Sequence, residues 1–78
     1  MSSGILMISE NVRRIRKARE LSQDKLAKLA SITLTTLVKI ESGANDNPTI
    51  KTLKKIAEAL KVTVNDLLED ESEKPDSR

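Results

Sequence analysis

Residues 23–43, QDKLAKLASITLTTLVKIESG, decide the fold. Within them Leu26, Ala30, Ile32, Leu37 and Ile40 are spaced so that two short helices share one core. Ser22 stands before the first helix as a capping residue, and Asp24 falls in its first turn, where the helix dipole favours an acid. The connection Ala30-Ser31-Ile32 is tight, Thr33 caps the second helix, and Gly43 supplies a left-handed stop. Ala27 is small at the point where the second helix must cross close over the first. A larger side chain there would push the two apart.

Outward from this stretch the chain is punctuated by further caps. Ser9 precedes ENVRRIRKARE, where Val12, Ile15 and Ala18 recur at helical spacing, which predicts a first helix beginning there. After Gly43, the turn-forming segment Ala44-Asn45-Asp46-Asn47-Pro48 is the one real loop. Thr49 then caps IKTLKKIAEAL, whose apolar stripe is Ile50, Leu53, Ile56, Ala57 and Leu60, and Thr63 caps the short helix VNDLLED. No segment alternates at period two, so the expected fold class is all-α, a compact five-helix domain. Its expected limits are residues 9–68, with residues 1–8 as an N-terminal extension and residues 69–78 as an acidic, disordered tail.

Composition narrows the chemistry. In 78 residues there is no Cys and no His, which removes disulfides, the usual zinc sites, Cys/His and Ser/His nucleophile pairs and imidazole acid–base catalysis. No phosphate-cradling glycine loop is present either, so neither an enzyme nor a bound cofactor or metal is expected. Aromatic content is 0%, leaving no stacking platform for unpaired bases. The run Ile5-Leu6-Met7-Ile8 is too short for a signal-peptide core and has no basic residue before it, and no stretch approaches a membrane span. A soluble, cytoplasmic domain is the expectation. The formal charge of +2 is unevenly placed: residues 69–78 carry −3 and the other 68 carry +5. Five bases, Arg13, Arg14, Arg16, Lys17 and Arg19, fall within seven residues, and such a basic body suits a polyanion.

Two helices joined by a three-residue turn, the second carried out on the surface, define a helix-turn-helix, the unit that enters the major groove. From about Ser9 to Leu68 the sequence resembles the lambda-repressor-like, or Cro and XRE-type, helix-turn-helix family. The residues that carry the resemblance are Leu21-Ser22-Gln23, Leu26-Ala27, Ile40-Glu41-Ser42-Gly43, Pro48-Thr49-Ile50 with Thr52-Leu53, Ile56-Ala57 with Ala59-Leu60, and Val62-Thr63-Val64 with Asp66-Leu67-Leu68. The resemblance implies a five-helix domain that binds double-stranded DNA, usually as a homodimer. It also implies that Gln23 meets a phosphate, that the third helix reads bases, and that Arg16 of the first helix pairs with Glu41 of the third.

Three departures from the family pattern bear on the site. Ser31 occupies the turn position usually held by Gly, and the Gly43–Pro48 loop is slightly longer than is common. The third helix presents Thr33, Leu34, Thr35, Thr36, Val38 and Lys39 where base-reading side chains stand, with no Arg, Asn or Gln for a bidentate contact. Lys39 is expected to meet a base or phosphate, with Thr35 and Thr36 nearest the bases. Thr33 either meets a phosphate or serves as a cap alone, and Leu34 either meets a thymine methyl or packs. Arg13, Arg14, Lys17 and Arg19 read as generic electrostatics.

The leading functional expectation is a sequence-specific DNA-binding protein, a small repressor-like transcriptional regulator. The alternative is a protein-interaction module, antitoxin-like or an adaptor, using the apolar third-helix face or the N-terminal run against an unknown protein partner. For the homodimer, Ile5–Ile8 and the surface around Val64 and Leu68 are the candidate faces, with Ile5–Ile8 folded back on its own core as the competing arrangement.

Overall fold

A computed structural model describes residues 4–69, with side chains from Met7 onward. The side chains of Ile5 and Leu6, and the acidic tail from residue 70, lie outside the described residues. Five helices follow one another: α1 (Gly4–Ala18), α2 (Gln23–Ala30), α3 (Leu34–Ser42), α4 (Ile50–Leu60) and α5 (Val64–Leu68). Among the described residues there is no strand. Helix α1 lies against α3 and α5, α2 is clasped between α3 and α4, and α4 meets α5. Every helix thereby gives one stripe to a single core, in which Val12, Leu26, Leu37, Ile40, Ile56, Leu60 and Leu67 are fully buried. Ala27 and Ala57 are buried with them, at points where a longer side chain would hold the helices apart.

Helix starts follow the hydroxyl residues. Ser22, Thr33, Thr49 and Thr63 each sit in extended backbone and accept a hydrogen bond from the amide three residues on, at 3.0–3.1 Å. At Thr63 the cap is reciprocal, since the Asp66 carboxylate accepts from the Thr63 amide at 2.9 Å. These caps satisfy amides that a helix start otherwise leaves open.

Helix ends follow a second rule. Helices α1, α2 and α4 each finish on a left-handed residue that is not glycine: Glu20, Ser31 and Lys61, with φ of 58°, 58° and 62°. The next residue is apolar each time (Leu21, Ile32, Val62), turns back onto the core, and donates its amide to a carbonyl five residues earlier: Arg16, Ala27 and Ala57. This is the Schellman geometry, and the apolar residue after the turn holds it in place. Gly43, with φ of 86°, ends α3 differently, its amide going to the Ile40 carbonyl while Asn45 reaches the Lys39 carbonyl.

Three details differ from the sequence expectation. Helix α1 starts at Gly4, so Ser9 lies inside it, buried, with its hydroxyl donating 2.6 Å to the Glu41 carbonyl instead of capping. The helix runs on through Ile8 because that side chain continues the stripe of Val12 and Ile15 onto the core. Ala18, placed on that stripe by spacing, is exposed at the helix end, and Ile50 is 59% exposed, because the α4 stripe that enters the core begins only at Leu53.

A left-handed backbone costs a residue with a Cβ roughly 1–2 kcal/mol that glycine avoids. Ser31→Gly and Lys61→Gly are each expected to stabilise the domain by about 1 kcal/mol, less what glycine's own chain entropy takes back. In a domain this small that raises the melting temperature by about 4–8 °C. Thermal and urea unfolding check it, and the two gains should add because the sites are on separate turns.

Candidate nucleic-acid interface

The exposed side of α3 is set by what its opposite side buries. Leu37 and Ile40 enter the core and Glu41 faces α1, which turns Thr35, Lys39 and Ser42 outward, with Leu34 and Val38 along one flank. Thr33 and Thr36 are less free than the sequence indicates. The Thr33 hydroxyl donates to the Thr36 hydroxyl at 2.8 Å while accepting from the Thr36 amide. Thr35 and Lys39 are exposed and stand at the centre of the outward face.

Glu41 fixes where this helix sits. Its carboxylate takes a two-pronged contact from Arg16, Nε to Oε2 at 2.7 Å and Nη2 to Oε1 at 3.0 Å. Both side chains are buried, at 11% and 3% exposure, and the third Arg16 prong donates to the Leu21 carbonyl at 2.8 Å. A guanidinium fork matches a carboxylate in this way, and a charge held out of water needs that many partners. The Glu41 carbonyl accepts from Ser9 at 2.6 Å and from Arg13 at 3.2 Å. Gln23 completes the shell: Nε2 donates to Glu41 Oε1 at 3.0 Å. The Gln23 amide group is therefore turned inward onto α3, and what α2 offers outward at its start is the helix N-terminus itself, with backbone amides that favour an anion.

The basic run on α1 is more structural than its charge suggests. Besides Arg13 and Arg16, Arg19 Nε donates 2.7 Å to the Leu60 carbonyl at the end of α4, and Arg14 reaches Asn11 Oδ1 at 3.1 Å. Asn11 is itself buried and donates to the carbonyls of Leu67 and Glu69, closing the C-terminal end of α5. No buried polar side-chain atom among the described residues lacks a partner. Sequence reading missed Ser9, Asn11 and Arg19 in these roles. The available signal was positional: Asn11 lies three residues after Ile8 and four before Ile15, on the buried stripe, where a polar residue must have a partner.

Arg13, Lys17, Gln23, Val38 and Ser42 rim a shallow depression of about 310 Å³ between α1, α2 and α3, with Arg16 and Glu41 also lining it. One side of α3 thus adjoins two exposed cations and the start of α2. Among the described residues no group of His, Cys, Asp and Glu could hold a metal ion, and no helix is long and apolar enough to cross a membrane.

Comparisons with known proteins agree with this arrangement. A family model described as helix-turn-helix matches residues 12–67. The chain is similar to the uncharacterized HTH-type transcriptional regulator RghRB of Bacillus subtilis, 37% identical over 59 residues, covering 76% of this chain and 42% of RghRB. It is 33% identical over 67 residues to the HTH-type transcriptional regulator SinR of Bacillus subtilis, covering 86% of this chain and 60% of SinR. The chain thus spans about half the length of these relatives. The solved N-terminal DNA-binding domain of that SinR superposes with a TM-score of 0.81 at 33% identity, covering 86% of this chain and 97% of that one. SinR is also solved in complex with DNA, and that chain superposes with a TM-score of 0.77 at 32% identity, covering 80% of this chain and 98% of that one.

Removing one partner from a buried ion pair leaves the other charge desolvated, a loss of about 3–5 kcal/mol. Arg16→Ala and Glu41→Ala are each expected to destabilise the domain on that scale, and the double variant to cost clearly less than both together. Urea unfolding of the four proteins measures the coupling. Strictly additive losses would mean that the two side chains do not interact.

Proposed function

The chain belongs to the helix-turn-helix family, and from that membership we propose that it is a sequence-specific double-stranded DNA-binding protein, a small repressor-like transcriptional regulator. The observation that carries this reading is the placement of α3. The helix is clamped through Glu41, exposed on its far side, and flanked by Lys17, Arg13 and the start of α2. That is the arrangement a major-groove helix needs: a rigid mount, a free outer face and phosphate-facing positive charge on one side. The relatives it matches are named as transcriptional regulators, and a SinR chain of closely similar fold is solved with DNA.

In this reading Thr35 and Lys39 lie nearest the bases, with Leu34 beside them and Thr36 partly occupied by its bond to Thr33. Thr33 stands at the N-terminus of α3, close to the duplex backbone. The amides at the start of α2 grip a phosphate, with Gln23 holding that helix end against Glu41. Arg13 and Lys17 add charge along the same strand. Because no side chain on α3 offers a bidentate contact, selectivity leans on positioning contacts and on DNA shape.

One recognition helix reads only a few base pairs, so the active species is proposed to be a homodimer on a two-fold site, with half-sites about 34–36 Å apart. The surface around Val64 and the 40% exposed Leu68 is the candidate face. Ile8 already packs on its own core, which leaves less of the N-terminal run for a partner. Sedimentation with palindromic DNA is expected to show two chains per duplex, and a strict 1:1 complex at high concentration would rule the dimer out.

Binding to a duplex selected from a random pool is expected to weaken linearly in log–log form with salt, at a slope of about −0.9 per phosphate neutralised. Lys39→Ala is expected to reduce affinity. If Lys39 touches a base edge, the loss falls at one position and amounts to ~1–3 kcal/mol, whereas a phosphate contact gives a uniform loss across sequences. A folded Lys39→Ala protein that binds every duplex as tightly as the parent would take α3 out of the groove.

A further inference from the structure

Five large apolar side chains are conspicuously exposed among the described residues, and two of them, Leu34 and Val38, stand on α3. They are four residues apart, 42% and 40% exposed, and neither belongs to the buried core cluster. Core-facing duty on this helix is carried by Leu37 and Ile40. Leu34 and Val38 therefore form an apolar strip along one flank of the outward face, beside Thr35 and Lys39.

We infer that Leu34 and Val38 read pyrimidine C5 methyl groups, so that the preferred half-site carries thymine or 5-methylcytosine beneath them. This rests on the proposal that α3 enters the major groove, and it names what that helix selects.

Three observations lead to it. The hydrogen-bonding capacity of the face is small: the hydroxyls of Thr33 and Thr36 are engaged with each other, leaving Thr35 and Lys39. In the major groove, the base feature that an apolar side chain can recognise is the C5 methyl. The strip also lies on the appropriate side. Val38 borders the depression rimmed by Arg13, Lys17 and Gln23, where the charge for a phosphate strand is gathered. A pyrimidine C5 methyl is the major-groove substituent nearest its own sugar–phosphate strand, so a helix gripping that strand brings the same flank over the methyls. Four residues advance a helix by about 6 Å, against about 3.4 Å per base step. The two methyls would then lie one to two steps apart.

Deoxyuridine differs from thymidine only in lacking that methyl, which makes it the direct probe. The full chain is used to select a duplex from a random pool, and each thymine of that duplex is then replaced singly by deoxyuridine at fixed salt. Burial of one methyl corresponds to about a three- to fivefold change in Kd. That loss is expected at one or two positions per half-site. In Leu34→Ala or Val38→Ala, each checked for an unchanged melting temperature, the penalty at the matching position should vanish. At a matching C·G position, 5-methylation of the cytosine should tighten binding of the parent by a similar factor and leave the variant unaffected. Tight, salt-dependent binding with no deoxyuridine penalty anywhere overturns the methyl reader while leaving the DNA-binding function standing. A penalty that persists unchanged in both variants overturns it too, by assigning the methyl to another side chain. Failure to enrich any duplex overturns this inference together with the function it rests on.

Discussion

The buried carboxylate of Glu41 is the constraint on which the rest of the molecule depends. A negative charge at 3% exposure would be prohibitive alone, and here it is surrounded by donors from two other helices: both prongs of Arg16 from α1 and the amide of Gln23 from α2. The carbonyl of the same residue takes Ser9 and Arg13. One residue near the end of α3 therefore fixes that helix in position and rotation relative to both neighbours. Hydrophobic contacts between Leu26, Leu37 and Ile40 supply adhesion, but they are non-directional. Hydrogen bonds to a fixed carboxylate supply the angle, and the angle decides which side chains of α3 face outward.

Much of the architecture was legible in the residues because its rules are local. Ser22, Thr33, Thr49 and Thr63 marked four helix starts, since a short hydroxyl side chain competes with the backbone only where amides are open. Ala27 marked the tight crossing of α2 and α3. The start of α1 was misplaced because Ser9 obeys the same local rule on paper, yet its hydroxyl is claimed by a carbonyl 32 positions away. The hydrogen-bonding roles of Asn11, Arg13 and Arg19 escaped the sequence reading for a similar reason. Their partners are backbone carbonyls of remote helices, and no side-chain pattern records which carbonyls a fold leaves open. Gln23 was placed by likeness at the duplex, whereas its amide group turns to Glu41, a choice governed by a neighbour brought close only in three dimensions.

The dense positive charge of α1 illustrates how one composition can serve two ends. Arg16 is buried on the Glu41 carboxylate, while Lys17 and Arg19 stay exposed, Arg19 with one nitrogen on the Leu60 carbonyl. Arginine suits the inner task because its planar fork satisfies several acceptors at once, and lysine suits the outer one as a compact, hydrated charge. Counting bases along the helix therefore overstates the charge available to a polyanion by Arg16, which Glu41 offsets, whereas bonds to neutral carbonyls leave Arg13 and Arg19 charged.

Asn11 has a consequence for the chain as a whole. By binding the carbonyls of Leu67 and Glu69 it fastens the last helix to the first across 56 and 58 positions. Helix α5 has only five residues, too few to persist alone, so its existence depends on Leu67 in the core and on this bond from α1. The middle of α1 and the end of α5 consequently meet in space. Helix α5 therefore cannot fray by itself: lifting it uncovers Leu67 and leaves the buried Asn11 side chain without its acceptors. The last helix to be made is thus held by a residue of the first, and it gains its shape only once α1 is there to receive it.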